Sequence, residues 1–175
     1  MIVDNGTGAG QAAEFLRSRG VTSVYILNTH YHLDHIAGLV VNPYLMSEAR
    51  FVKGVFGPRL EGRDFASVID TFYGPPFWPV NPKMFGVKLP LFSFEPGETL
   101  AVLGGVKTML LNHAGGSVAY RIPTPAGDVG IATDNELSEK GDIRERLATF
   151  IAGAKIVYVD VQYRDDEYEG RTVIG

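Results

Sequence analysis

The stretch Thr29-His30-Tyr31-His32-Leu33-Asp34-His35-Ile36-Ala37-Gly38 constrains this chain more than any other part of it. Three imidazoles and one carboxylate fall within six positions, directly after the apolar run Val24 to Leu27, which reads as a buried strand. Alternate residues of an extended segment point the same way, so His30 and His32 can chelate one ion from one edge. Asp34 and His35 come after the chain turns into a helix, and they face the neighbouring space. Two adjacent metal sites follow naturally. The chain has four histidines. The fourth, His113, lies in Leu110-Leu111-Asn112-His113-Ala114-Gly115-Gly116, at the mouth of a strand before a glycine turn, where a ligand would be presented. Asp134, in Ile131-Ala132-Thr133-Asp134-Asn135-Glu136, also directly follows a strand end, a position where an aspartate commonly serves as a turn former or helix cap.

The absence of cysteine removes disulfides, thiolate catalysis and thiolate metal sites together, leaving imidazole and carboxylate as the strong ligands. That donor set suits zinc, with manganese or iron as alternatives. A chain of 175 residues, 45% hydrophobic and 21% charged, has the composition of one soluble domain with a core, residues 1–175. The net charge of −4 and the pI near 5.5 provide no basic footprint for a phosphate backbone. A dedicated nucleic-acid module is therefore disfavoured, while a single-site phosphate substrate stays compatible. No apolar stretch approaches the length of a membrane span and no charged-then-apolar leader opens the chain, so no membrane partner and a cytoplasmic location are expected.

Twenty-one glycines and ten prolines favour short strands joined by tight turns. Met1 to Asp4 reads as a strand leading into the turn Asp4-Asn5-Gly6-Thr7-Gly8. The Gly6-x-Gly8-x-Gly10 spacing lacks the third glycine of a dinucleotide fingerprint, and a strand-to-helix turn explains it better. Gln11 to Arg19 is predicted as an amphipathic helix stopped by Gly20. Val21 to Leu27 is the strand that delivers the histidines, and Asn42-Pro43 ends the short helix after it. Arg50 to Phe56 is a further strand, closed by Gly57-Pro58. Phe65, Val68, Ile69 and Phe72 share one helix face, read as core packing. Four prolines in the nine residues from Gly74 to Pro82 rule out regular structure. This aromatic loop either borders a pocket with Phe77 and Trp78 or covers the core. From Val87 onward, Leu89 to Phe94, Thr99 to Leu103, Val106 to Leu111, Ser117 to Ile122 and Asp128 to Ala132 read as an antiparallel meander. Asp142 with Glu145 forms a capping pair for a helix that buries Ile143, Leu147, Phe150 and Ile151 and ends at Gly153. Ile156 to Val161 is expected to be a final buried strand, and Asp165 to Glu169 a solvated acidic turn.

These residues resemble the metallo-β-lactamase fold superfamily of metal-dependent hydrolases, and most of all its phosphodiesterase and ribonuclease Z-like branch. Asp4-Asn5-Gly6-Thr7-Gly8 is similar to the family's Asp-x-Gly turn. Residues 29 to 38 match its His-x-His-x-Asp-His-Ile-x-Gly signature, Asn112-His113 its third histidine motif, and Ala132 to Glu136 its bridging-aspartate motif. Pro76 to Val80 and Asp160 to Tyr168 are similar to segments of hydrolases in the same branch. The resemblance implies an α/β fold of α+β type, a four-layer αββα sandwich with a dinuclear site on one edge. It implies that His30, His32 and His113 hold metal 1, that Asp34 and His35 hold metal 2, and that Asp134 bridges two divalent ions, zinc foremost. A metal-bridging hydroxide would be the nucleophile, Asp34 would assist as proton acceptor, and Asp4 would orient ligands from behind. The family normally places another histidine on metal 2 late in the chain and begins with additional strands. No histidine follows His113, so truncation at both ends is expected and metal 2 is the less complete half.

The expected function is hydrolysis of a phosphodiester. A lactonase, thioesterase or β-lactamase would use the same site. A non-catalytic metal- or ligand-binding module of the same fold is the alternative from another class, and an RNA-processing role is disfavoured by the acidic pI. The expected partner is a small-molecule or phosphodiester substrate, with a homodimer compatible.

Overall fold

The computed structural model describes residues 1–38, 52–79, 89–137 and 141–160. They fall into two compact units, residues 1–94 and 95–175. Among the described residues no helix is long and apolar enough to cross a membrane.

The first unit runs β1 (Ile2–Val3), α1 (Ala9–Ser18), β2 (Val24–Leu27), α2 (Leu33–Ile36), β3 (Val52–Pro58), α3 (Phe65–Phe72) and β4 (Leu91–Phe94). Its four strands form a parallel sheet in the order β1-β2-β3-β4, with Val3 beside Leu27 and Leu27 beside Phe56. Parallel neighbours need a crossover, and α1 provides it between β1 and β2. Ala13 of α1, Val24 and Ile26 of β2, Val52 and Val55 of β3, and Phe65, Ile69 and Tyr73 share one core. Each large side chain buried there contributes about 1.5–3 kcal/mol relative to exposure. Gly57 is required for that packing, because a Cβ on it would lie 2.1 Å from the Phe65 ring.

The second unit runs β5 (Thr99–Leu100), a 3-10 turn (Ala101–Leu103), β6 (Val106–Leu111), β7 (Ser117–Ile122), β8 (Val129–Ala132), α4 (Ile143–Ile151) and β9 (Ile156–Val159). The sheet order is β5-β6-β7-β8-β9, antiparallel as far as β8 and parallel between β8 and β9. Helix α4 is the crossover, and its Ile143 and Leu147 pack on Met109, Leu111, Ala119 and Ala132. Arg121 of β7 ties the end of that helix down. Its Nε donates to Asp128 Oδ2 at 2.7 Å and its Nη1 to the carbonyls of Phe150 and Ala152 at 2.9 and 2.7 Å, satisfying acceptors that a helix end leaves open.

Several elements differ from the sequence reading. Helix α1 starts at Ala9 rather than Gln11, with Gly10 inside it and Gly20 at φ +77° past its end. Strand β3 continues through Gly57 and Pro58, since the rung that proline cannot donate is made by the Arg59 N–H to Phe94 O at 2.7 Å. The segment 89–94 leaves the meander altogether, because Leu91–Phe94 pairs in parallel with β3 in the first sheet. Thr99 to Leu103 divides into a two-residue strand and a 3-10 turn closed by Gly104 at φ +75°. Asp142 makes no side-chain cap on α4; its Oδ1 faces Arg146 Nη1 at 3.5 Å instead. Strand β9 is not buried: among the described residues it is the edge of its sheet, and Ile156 and Tyr158 are each 60% exposed. Trp78 packs on the first core, 6.4 Å from Tyr73, so the cover reading of the aromatic loop holds for it, whereas Phe77 is exposed. The expectations for Asn42-Pro43, Arg50 and Phe51, Val80 to Pro82, Val161 and Asp165 to Glu169 lie outside the described residues.

Candidate metal centre

Strands β1 and β2 are adjacent and parallel, so their carboxyl ends open at the same edge of the first sheet. Loops at that edge of a parallel sheet are where polar groups converge. Leaving β1, Asp4 takes the left-handed conformation at φ 62°, and its N–H bonds Leu27 O at 2.7 Å. Leaving β2, Asn28, Thr29 and His30 are all buried. The turn after β1 and helix α2 interlock: the His35 carbonyl accepts from Asn5 N at 2.9 Å and from Asn28 Nδ2 at 2.8 Å, and Gly38 N donates to Asn5 O at 2.6 Å. Two glycines permit this approach. A Cβ on Gly6 would stand 1.8 Å from Asp34 O, and one on Gly38 would stand 2.1 Å from Gly6 O. Gly6 of the Asp4-to-Gly8 turn thus serves backbone contact with the histidine segment, as a turn reading requires, while a Cβ on Gly8 or Gly10 would meet nothing within 4 Å.

Asp4 is the hub of the side chains. Its Oδ1 accepts from Thr29 N at 2.7 Å and from Thr29 Oγ1 at 3.0 Å, and its Oδ2 accepts from His35 Nδ1 at 2.8 Å. Thr29 Oγ1 also lies 2.9 Å from His30 Nδ1. A hydroxyl has one proton, and here Asp4 takes it, so the hydroxyl oxygen accepts from His30 Nδ1–H. His30 and His35 are thereby both held with the proton on Nδ1 and the lone pair on Nε2, the arrangement that readies an imidazole for a metal ion.

Those Nε2 atoms face other donors. His30 Nε2 lies 3.0 Å from His32 Nδ1, and His35 Nε2 lies 3.4 Å from Asp34 Oδ2. Tetrahedral ligands at about 2.0–2.1 Å from a zinc ion stand roughly 3.3 Å from one another. Both pairs have that spacing, and the His30 and His35 rings are 4.2 Å apart between centroids. The donor set fits a divalent ion, and the histidines of this chain could hold one. Asp34 is 77% exposed, which leaves its carboxylate accessible to a ligand and to solvent.

The remaining two predicted ligands are brought to one end of the second sheet. Strands β6 and β8 flank β7 and run in the same direction, so Asn112-His113 after β6 and Asp134 after β8 emerge side by side. Asn112 and Glu136 lock those ends together through Glu136 N to Asn112 O at 2.7 Å and Asn112 Nδ2 to Glu136 O at 3.2 Å. His113 opens a tight turn, with Gly116 N bonding its carbonyl at 2.8 Å, and Asp134 sits at φ 44°. So His30, His32, Asp34 and His35 are gathered in the first unit, and His113 and Asp134 in the second.

The sequence reading did not assign roles to Thr29, Asn28 and Tyr31. Thr29 carried a signal, a hydroxyl directly before the first histidine and after a buried strand. Tyr31 carried none, because its partners are the carbonyls of Pro58 and Arg63, distant in sequence.

Comparison with solved structures finds the same fold at low identity. A yeast PDE1 structure superposes with a TM-score of 0.56 at 20% identity, covering 83% of this chain and 47% of that one. A diphosphatase from the PhnP family gives 0.57 at 18% identity over 89% of this chain and 53% of that one. Zinc-bound PqqB from Methylobacterium extorquens gives 0.55 at 13% identity over 90% and 51%. The chain therefore spans about half the length of these structures. No curated protein matches it. The model of the metallo-beta-lactamase superfamily matches residues 1–160, which takes in both sheets, all six predicted ligands and Asp4. On that match the chain, whose described residues form two sheets and four α-helices, belongs to the metallo-beta-lactamase superfamily, whose members are generally metal-dependent hydrolases.

Proposed function

We propose that this protein hydrolyses a phosphodiester with a dinuclear zinc centre held by His30, His32 and His113 at one position and by Asp34 and His35 at the other, with Asp134 shared. The observation that carries the reading is the pair of donor contacts, His30 Nε2 to His32 Nδ1 at 3.0 Å and His35 Nε2 to Asp34 Oδ2 at 3.4 Å, both governed by the single carboxylate of Asp4. The placement of His113 and Asp134 side by side on the second sheet supports their joining that set.

Bound divalent ions supply Lewis acidity toward a phosphoryl or carbonyl oxygen and lower the pKa of water far enough for attack near neutral pH. The chain's own groups do the rest. Asp4, through Thr29, keeps the proton on Nδ1 of His30, and directly keeps it on Nδ1 of His35, so both rings coordinate through Nε2. Asp34, exposed beside His35 Nε2, takes a proton at its carboxylate during attack. The preference for a phosphodiester is motivated by likeness in fold to proteins described as PDE1 and as a PhnP-family diphosphatase. A lactone, thioester or β-lactam would be attacked by the same groups.

The test is metal content by mass spectrometry followed by turnover of chromogenic phosphodiester, lactone, thioester and β-lactam substrates. The reading expects up to two zinc ions per chain and fastest turnover of the phosphodiester. Metal without turnover on any ester class leaves the non-catalytic binding module, and absence of bound metal refutes the centre.

A further inference from the structure

Two phenols grip the ligand stretch from the scaffold around it. Tyr31 lies between His30 and His32, so in an extended segment its side chain leaves by the opposite face. Its ring stacks on Phe65, 6.2 Å between centroids at 25°, and Phe65 itself is fully buried in the space that Gly57 leaves open. The Tyr31 hydroxyl donates to Pro58 O at the end of β3, with Arg63 O a further 3.2 Å acceptor. Tyr73 follows α3, is 1% exposed, and donates its hydroxyl to the carbonyl of Ile36, the residue after His35. Helix α2 has four residues, too few to hold its own geometry without tertiary contacts.

We propose that Tyr31 and Tyr73 are positioning residues for the two halves of the metal centre, Tyr31 setting His30 and His32 through the end of β3, and Tyr73 setting Asp34 and His35 through Ile36. The inference rests on the metal-centre reading above. Neither phenol touches the donor atoms in the contacts described. Each acts through the backbone that carries them, and a donor set must be held to within about 0.5 Å to bind its ion well.

The experiment titrates cobalt(II), in competition with a chromophoric chelator, into the metal-free chain and its Tyr31→Phe and Tyr73→Phe variants, following the visible absorption of bound cobalt. Each variant loses one oxygen and keeps its ring. Each is expected to bind cobalt about tenfold more weakly, the scale of losses behind metal ligands. The effects should be specific to each half. Tyr31→Phe adds little once His32→Ala is present, and Tyr73→Phe adds little once His35→Ala is present, while the crossed pairs are additive. Val106→Ala, a core truncation in the second unit, controls for stability: it should lower the unfolding temperature and leave cobalt affinity unchanged. If Tyr31→Phe does not fold, Phe65→Leu, which keeps the hydroxyl and withdraws the ring beneath it, decides the Tyr31 half by the same readout. Cobalt affinities of both phenylalanine variants within about twofold of the parent overturn the inference. A parent chain that binds no cobalt instead overturns the metal-centre reading itself.

Discussion

Replacing Asp4 with asparagine tests how the centre is built, because the change is nearly isosteric and removes a charge on which three contacts converge. The carboxylate accepts from Thr29 N at 2.7 Å, from Thr29 Oγ1 at 3.0 Å and from His35 Nδ1 at 2.8 Å. An asparagine oxygen can still serve Thr29. Its amide N–H groups then face the His35 Nδ1–H, donor against donor. To escape, the imidazole must move its proton to Nε2, the nitrogen that points at Asp34 Oδ2, or rotate away. Losing one charge-assisted hydrogen bond costs about 1.5–3 kcal/mol, and at about 1.4 kcal/mol per factor of ten this predicts a tenfold to hundredfold loss of zinc affinity. The weakening should fall mainly on the ion proposed for Asp34 and His35. Zinc competition against a chromophoric chelator measures it, with urea unfolding in excess chelator reporting the metal-free cost separately. An Asp4→Asn variant that holds both ions as tightly as the parent refutes the claim that this carboxylate sets the histidine tautomers. Thr29→Ser, which keeps the hydroxyl, should behave as the parent, and Thr29→Val should weaken the His30 side.

Three further outcomes are expected. His32→Ala and His113→Ala should each remove one zinc equivalent with the same affinity profile, since both are proposed for one ion; retention of full stoichiometry in His113→Ala would separate the second unit from the centre. Gly6→Ala should destabilise the first unit by about 1–3 kcal/mol in denaturant unfolding, because its Cβ would stand 1.8 Å from the Asp34 carbonyl and the overpacking cannot relax into side-chain motion. Tyr31 should titrate near pH 12 in the absorbance of tyrosinate, against 10.0 for an ordinary phenol, owing first to burial. A raised folded pKa means that the native chain keeps a proton which the unfolded chain has released. Its stabilising contribution is therefore complete below pH 10.0 and is lost as the pH rises toward about 12. Unfolding in denaturant across that window should show stability falling, and a Tyr31→Phe variant should lack that component.

The candidate ligands were legible from sequence because ligation demands scarce residue types at short spacing. His30, His32, Asp34 and His35 lie within six positions of one another in a chain with four histidines and no cysteine. Strand and helix periodicity likewise located α1, α3, β6, β7 and β8 to within a few residues. Strand partners were not legible in the same way. The run ending at Phe94 looks like the meander that follows it, and only its register against β3 assigns it to the first sheet as a parallel strand. The exposure of Ile156 and Tyr158 is a second case, since an apolar run has the same sequence whether it lies at the centre or the edge of a sheet. Sequence by itself determined which atoms can bind an ion. The family resemblance already pointed to Asp4 behind them, but tertiary structure alone decided the contacts that hold them, because Asp4 reaches Thr29 across 25 positions, Tyr31 reaches Pro58 across 27 and Tyr73 reaches Ile36 across 37, and contacts at such separations arise from strand adjacency and core packing rather than local spacing.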